Sequence, residues 1–325
     1  MARVLLLDEQ VRRNKRRTFY VMFLMGLMLA GMVLAVGVVL GLPIYVGAII
    51  AVLASLLYVG ITASASVSTV ISASKARPAN PNVREEKLLL YRVEEMSIAS
   101  GLPLPKVYVQ DSRDINAFAA GRNPNEAIIC VTTGALQQLN QEELEGVLSH
   151  EMSHIKNYDV RLATITLGVV GAIALIAEIA LRFMFYSRGG RGGGKGSGAA
   201  TLIVFAVAII FIILAPIFSR MAYFAMSRRR EYLADSTGAM LTRNPGGLAA
   251  ALNKIMHDAP DDPKGSRTVA GLYFANPYLR RHRDNIWSTH PPLEKRIERL
   301  TGQPYQPEMF PAPRRPAAEL PETPR

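Results

Sequence analysis

The chain is 325 residues long, half of them apolar, with a formal net charge of +11 and a single cysteine. That length allows one large or two modest domains, and a lone cysteine excludes an internal disulfide and any metal cluster built on thiolates. The basic excess does not point to nucleic acid, because no interleaved aromatics or recognisable nucleic-acid motif accompany it.

The apolar residues are concentrated rather than spread. Arg12, Arg13, Lys15, Arg16 and Arg17 precede an uncharged run from Phe19 to Leu42, which Pro43 ends, and Ile44 to Ala63 is a second run. Leu162 to Leu181 and Ala199 to Phe218 are two more. Each is about 20 residues long, enough to cross a hydrocarbon core of ~30 Å. The first run is too long for a signal peptide and is followed at once by another span, so it reads as an anchor. The basic cluster before it places the N-terminus in the cytoplasm, next to anionic lipid. An even number of spans then returns segments 64–161 and 219–325 to the same side. The linker with Arg182, Arg188, Arg191 and Lys195 would lie outside, against the same rule. A shallow second hairpin that does not fully cross is the alternative.

After the first pair of runs, Arg84 to Ser100 reads as a helix stopped by Gly101-Leu102-Pro103, and Lys106 to Gln110 alternates as a strand. Ile115 to Ala120 and Ala127 to Thr132 are short strands joined by the turn-rich Gly121 to Glu126. Cys130, inside the second of these, reads as a small core residue. Asn140 and Glu143 have the spacing of a capping box, which starts a helix running to about Lys156. Leu144, Val147, Leu148, Met152 and Ile155 form its apolar stripe, with His150 and His154 along the edge. Those histidines lie about 40° apart around the axis and roughly 6 Å along it. Both rings can therefore reach one Zn²⁺, while Glu151 can act as base toward a water at the metal. A catalytic zinc site has a third protein ligand. The best source is downstream, where Glu231 and Asp235 share a helix face; one can bind metal while the other orients a histidine. An ordinary charged helix, with these acids paired to neighbouring arginines, is the other reading of that spacing.

The remaining features are plainer. Glu178, inside the third apolar run, is either an i,i+4 partner of Arg182 or a functional intramembrane carboxylate. Gly189 to Gly198 reads as a flexible turn, His257 and His282 as surface residues, and at least two of Arg228, Arg229 and Arg230 as a membrane-flanking cluster. The Pro-rich tail after Gln303 reads as disordered.

Four segments, in order, resemble the HtpX-type membrane zinc metalloproteases, relatives of the CAAX prenyl endopeptidases. They are Asp111 to Gly134 (DSRDINAFAAGRNPNEAIICVTTG), Gln141 to Asp159 with HEMSHIKNYD, the later RRREYLAD, and Ser288-Thr289-His290-Pro291. With the span layout, the similarity covers roughly residues 10 to 300. It implies an α+β fold: a mostly helical integral-membrane protein with four transmembrane helices and a zincin-like (gluzincin) catalytic domain holding a small β-sheet. The expected parts are a basic segment and transmembrane hairpin (1–75), a first part of the peptidase domain (76–160), a second hairpin (161–219), a second peptidase part (220–302) and the tail (303–325).

The resemblance further implies one Zn²⁺ per chain held by His150, His154 and Glu231, with Asp235 supporting a zinc histidine. Glu151 and His290 are the catalytic residues, the first as base and the second as oxyanion donor. Asn116, Ala117, Phe118 and Ala119 form an edge strand against which substrate lies, though the residues alone read equally as an ordinary hairpin edge. Asn157 and Asp159 support the helix end or the site wall. The implied activity is zinc-dependent cleavage of misfolded or unassembled membrane proteins at the inner membrane, with the catalytic domain in the cytoplasm. Expected partners are the lipid bilayer and unfolded or membrane-protein substrates, with no nucleic acid; the oligomeric state stays open. A non-catalytic membrane scaffold and a CAAX-type processing protease are the alternatives.

Overall fold

Long apolar sequence without internal proline makes α1 (Ala2–Val39) and, directly after Pro43, α2 (Ile44–Ser74). The computed structural model describes residues 2–39, 42–165, 167, 228–257, 272–274 and 291–310. α1 and α2 form an antiparallel hairpin in which Gly26 faces Val59 and Gly37 faces Gly47. Small residues at such contacts let helix backbones approach closely. α2 turns Gly47, Ala51, Ser55, Thr62, Ala63 and Ser66 inward. Its large residues point outward, with Leu53 62% and Leu56 66% exposed. That inverts the pattern of a water-soluble helix and suits a lipid surround. Among the described residues α2, with 31 residues, is the helix long and apolar enough to cross a membrane. The expected second hairpin falls outside the described residues beyond its first turn, as do Glu178, the glycine-rich stretch, His282, His290 and the tail past residue 310.

The chain next lays down β1 (Arg77–Pro78), α3 (Arg84–Ser100), β2 (Lys106–Gln110), β3 (Ala117–Ala120) and β4 (Ile128–Thr132). α3 occupies the residues expected from sequence and stops at Gly101, whose φ of 68° is the left-handed conformation glycine adopts without strain. The sheet order is β1-β2-β4-β3. β2 runs parallel to β4, whereas β1 and β3 pair antiparallel to their neighbours. β4 is buried along its whole length, as its unbroken apolar run requires of a strand covered on both faces. Cys130 lies there, 1% exposed. β3 begins two residues later than the sequence pattern, because Asn116 meets Thr132 partly through the threonine hydroxyl, which accepts from the Asn116 N–H at 3.0 Å.

α4 (Thr133–Gln138) leads into α5 (Gln141–Lys156), and α6 (Arg228–Thr242), α7 (Pro245–His257) and α8 (Leu293–Thr301) complete the described helices. One face of the sheet joins α3, α5, α7 and α8 in a core containing Leu89, Ile129, Leu148, Met152, Leu252 and Ile297. On the other face Phe118, Cys130 and Ile128 pack with Val70 of α2 and with Leu272 and Tyr273. α2 therefore leaves its apolar environment to become part of the domain core. Gly146 lies against the backbone of Leu248, where a side chain would collide, and Gly238 lies close to that of His150, where one would be tight. These two glycines set α7 and α6 directly on α5.

Candidate metal centre

The α5 N-terminus is fixed by the capping box the sequence announces. Asn140 Oδ1 accepts from the Glu143 N–H at 2.9 Å, and Glu143 Oε2 accepts from the Asn140 N–H at 2.7 Å. Lys254 of α7 adds a bond to Glu143 at 2.7 Å, pinning the helix to its neighbour. Two turns further on, His150 and His154 face the same side, rings perpendicular at 85° and centroids 4.6 Å apart. Their Nε2 atoms are 3.0 Å from one another. Glu231, reaching in from α6, places carboxylate oxygens 3.7 Å from His150 Nε2 and 3.5 Å from His154 Nε2. One donor atom from each of the three residues lies within 4.8 Å of the others. Glu231 is fully buried and the two histidines are at most 4% exposed.

Each imidazole is oriented through its other nitrogen. His150 Nδ1 donates to Asp235 Oδ1 at 2.9 Å, and His154 Nδ1 faces Asp159 Oδ2 at 3.3 Å. With both Nδ1 protons so engaged, the Nε2 lone pairs point at each other and at Glu231. Such a set of donors is mutually repulsive unless a proton or a metal cation lies among them. The surrounding charge agrees. Glu151, Asp159, Glu231 and Asp235 are buried, against the buried guanidinium groups of Arg230 and Arg296. Four carboxylates face two guanidiniums, an excess of acidic groups that favours a cation among them. The residues fit a metal.

The electrostatics divide the two rings. Burial, followed by the Arg296 charge, pushes His150 down to about 4 despite its bond to Asp235. Burial also opposes charge on His154, but Asp159 and Glu231 outweigh it and hold the ring up at about 9. Glu151 is lifted to about 7, chiefly by burial and also by Glu231, against the pull of His154 and of the Ala119 N–H that donates to it. Its proton affinity is thus poised near neutrality, where a general base and acid works best.

Sequence reasoning brought His150, Glu151, His154, Glu231 and Asp235 into one list, and the structure brings them into one buried cluster. His290 lies outside the described residues, two positions before Pro292, which opens α8. Of the proposed substrate strand, Ala117, Phe118 and Ala119 lie in β3, at the end of the sheet order, with Asn116 just before it. The Ala117 carbonyl accepts from the Phe274 N–H at 2.8 Å. Arg230 departs from its membrane-flank reading. It is 9% exposed and its Nε lies 3.5 Å from Asp159 Oδ1.

Arg296 was missed altogether. It is completely buried and donates to Asp235 from Nε at 2.9 Å and from Nη2 at 2.6 Å. Its Nη1 lies 3.6 Å from Glu231, and its guanidinium stacks 4.6 Å from the Phe274 ring centre. Burial disfavours its charge, but Asp235 more than compensates and raises its pKa. The one local signal was its helix, where Arg296 and Ile297 are buried among exposed charges.

A family model, peptidase family M48, matches residues 84–303. A protease HtpX homolog from Lactobacillus helveticus is 39% identical over 298 residues, covering 91% of this chain and 99% of that relative. Others from Listeria monocytogenes and Streptococcus uberis are 37% and 36% identical, with the same shares covered. A crystal structure of S. mikatae Ste24p has a TM-score of 0.41 at 17% identity, over 90% of this chain and 67% of that one. Buried metal-binding geometry and extended similarity agree: the chain belongs to peptidase family M48 and is a metalloendopeptidase.

Proposed function

We propose that this is a membrane-bound zinc endopeptidase in which His150 Nε2, His154 Nε2 and the Glu231 carboxylate hold the metal. The observation that carries the assignment is the convergence of these three donors within 4.8 Å, with each Nδ1 tied to its own carboxylate. Two nitrogens and one oxygen suit zinc, and three protein ligands are the number a catalytic site uses. When bound, Zn²⁺ supplies Lewis acidity that polarises the scissile carbonyl and acidifies water.

The chain's own groups do the rest. Glu151 takes a proton at its carboxylate from the attacking water and passes it to the leaving amine nitrogen; its lift to about 7 suits both transfers. Asp235 and Asp159 keep the Nδ1 protons of His150 and His154 in place, so that the Nε2 lone pairs face the site. Arg296 holds Asp235 ionised in a buried setting. The family resemblance seats substrate along Asn116 to Ala119; the Ala117 carbonyl and the Ala119 N–H there are bonded to Phe274 and Glu151, so an extended substrate would take over those bonds. His290 keeps the oxyanion role implied by the family, a contribution of ~3 kcal/mol for one donor.

The outward-facing large residues of α2 support a lipid setting, and the four-span layout with a cytoplasmic site extends that reading to the whole chain. A site next to the bilayer suits misfolded or unassembled membrane proteins as substrates. The test is digestion of an unfolded protein by detergent-purified, zinc-loaded enzyme beside equally zinc-loaded Glu151→Ala. The variant should retain zinc and lose activity by at least ~10²-fold. Undiminished cleavage by it would overturn the mechanism.

A further inference from the structure

α5 does not end cleanly. After Lys156 the chain makes a turn at Asn157 and Tyr158, and helical backbone resumes at 159–165. Tyr158 has a φ of 57°, the left-handed conformation that residues bearing a side chain adopt reluctantly. This turn swings Asp159 back toward His154. Its placement therefore depends on whatever holds the turn.

α1 holds it. Asn14 Nδ2 donates to the Asn157 carbonyl at 2.9 Å and to Asp159 Oδ1 at 2.8 Å. The next residue, Lys15, sets its ammonium 4.2 Å from the centre of the Tyr158 ring. Asn14 is only 6% exposed, within a stretch whose neighbours Arg12, Arg13, Arg16 and Arg17 are exposed. A buried amide in a basic, solvent-facing segment needs a partner, and here both amide hydrogens find one. Asp159 is thereby gripped at both oxygens: Oδ2 faces His154 Nδ1, while Oδ1 receives Asn14 and faces Arg230.

We propose that Asn14 is a positioning residue of the metal centre, acting through Asp159 to orient His154. The inference rests on the reading of His154 as a metal ligand. It makes the N-terminal helix part of the site, although the family match begins at residue 84. Asn14 touches neither metal nor substrate. Its contribution is to fix the carboxylate that fixes the imidazole, the kind of outer support whose loss costs metal affinity.

The experiment measures Zn²⁺ affinity of the full-length, detergent-purified protein by competition with a chromophoric chelator. Asn14→Ala should weaken Zn²⁺ binding about tenfold and have no further effect in an Asp159→Ala background. Thr18→Val should bind Zn²⁺ as the parent does, since among the described residues the buried Thr18 hydroxyl bonds to the Asn14 carbonyl of its own helix. Asn14→Asp, equal in size but without an N–H to offer, should lose at least as much affinity as the alanine variant, and it replaces that variant if alanine prevents folding. Parental affinity in both Asn14 variants, or an equal loss with and without Asp159, would overturn the proposal while leaving the metal site intact. Parental affinity in His154→Ala would instead remove the ligand assignment on which it stands.

Discussion

His150 and His154 sit one turn apart on the same helix, yet each is held through its second nitrogen by a different carboxylate with different support. His150 is held by Asp235 and, behind it, Arg296, residues that follow the second apolar pair. His154 is held by Asp159, with Asn14 and Arg230 behind. The first tether is a paired charge sealed under Phe274. The second is a hydrogen-bonded turn clamped by α1. The two histidines proposed as metal ligands thus lean on different supports, and each side can be broken separately.

The largest effect should come from Arg296→Met. It leaves the Asp235 carboxylate buried without its guanidinium, a loss of about 3–5 kcal/mol, read as a lower denaturation midpoint of the metal-free protein. A shift below ~1 kcal/mol would mean that the His150 side is no more charge-dependent than the His154 side. Next, Asp235→Asn and Asp159→Asn should each lower Zn²⁺ affinity by about 10–100-fold. Because they act on different rings, the double variant should lose more than either; equality with the worse single variant would merge the two tethers into one.

The smallest effect is the most discriminating. In the metal-free protein His154 keeps its proton up to about 9, above the ordinary value near 6.5. Its contribution to stability is therefore complete below pH ~6.5 and lost as pH rises through about 9. Zn²⁺ needs a neutral ring and must expel that proton, so affinity should climb about tenfold per pH unit between ~7 and ~9. His150, held down at about 4, adds nothing in that range. Calorimetry in buffers of different ionisation enthalpy counts the released protons, and a pH-independent affinity would reverse the assignment.

What the sequence showed follows from range. The capping box, the His150/His154 pair and the Glu231/Asp235 pair are spaced by three or four residues, and helix geometry alone puts such partners on one face. α3 and β2 were legible for the same reason, since each carries its own period and its own stop. Arg296 meets Asp235 across 61 positions, and Asn14 meets Asp159 across 145. No local period encodes such a meeting, and Asn14 sits in a stretch whose basic character spoke only of lipid. Asp159 was read as support for the helix end or the site wall, without its partner, because the turn that aims it back at His154 depends on a left-handed tyrosine, for which the residue type gives no warning.

Gly238 bears on how finely the centre is machined. It lies one face-repeat beyond Glu231 and Asp235, where an added methyl group would sit 3.0 Å from the His150 nitrogen and the Ser149 hydroxyl, tighter than an ordinary contact. The spacing between the two stretches of chain that build the centre is therefore set by main chain against main chain, not by the choice of rotamer. Flexible side chains can absorb a misfit of an ångström; a backbone stop cannot. Such a contact sets how near α6 can come to α5, and with it where Glu231 and Asp235 meet the histidines.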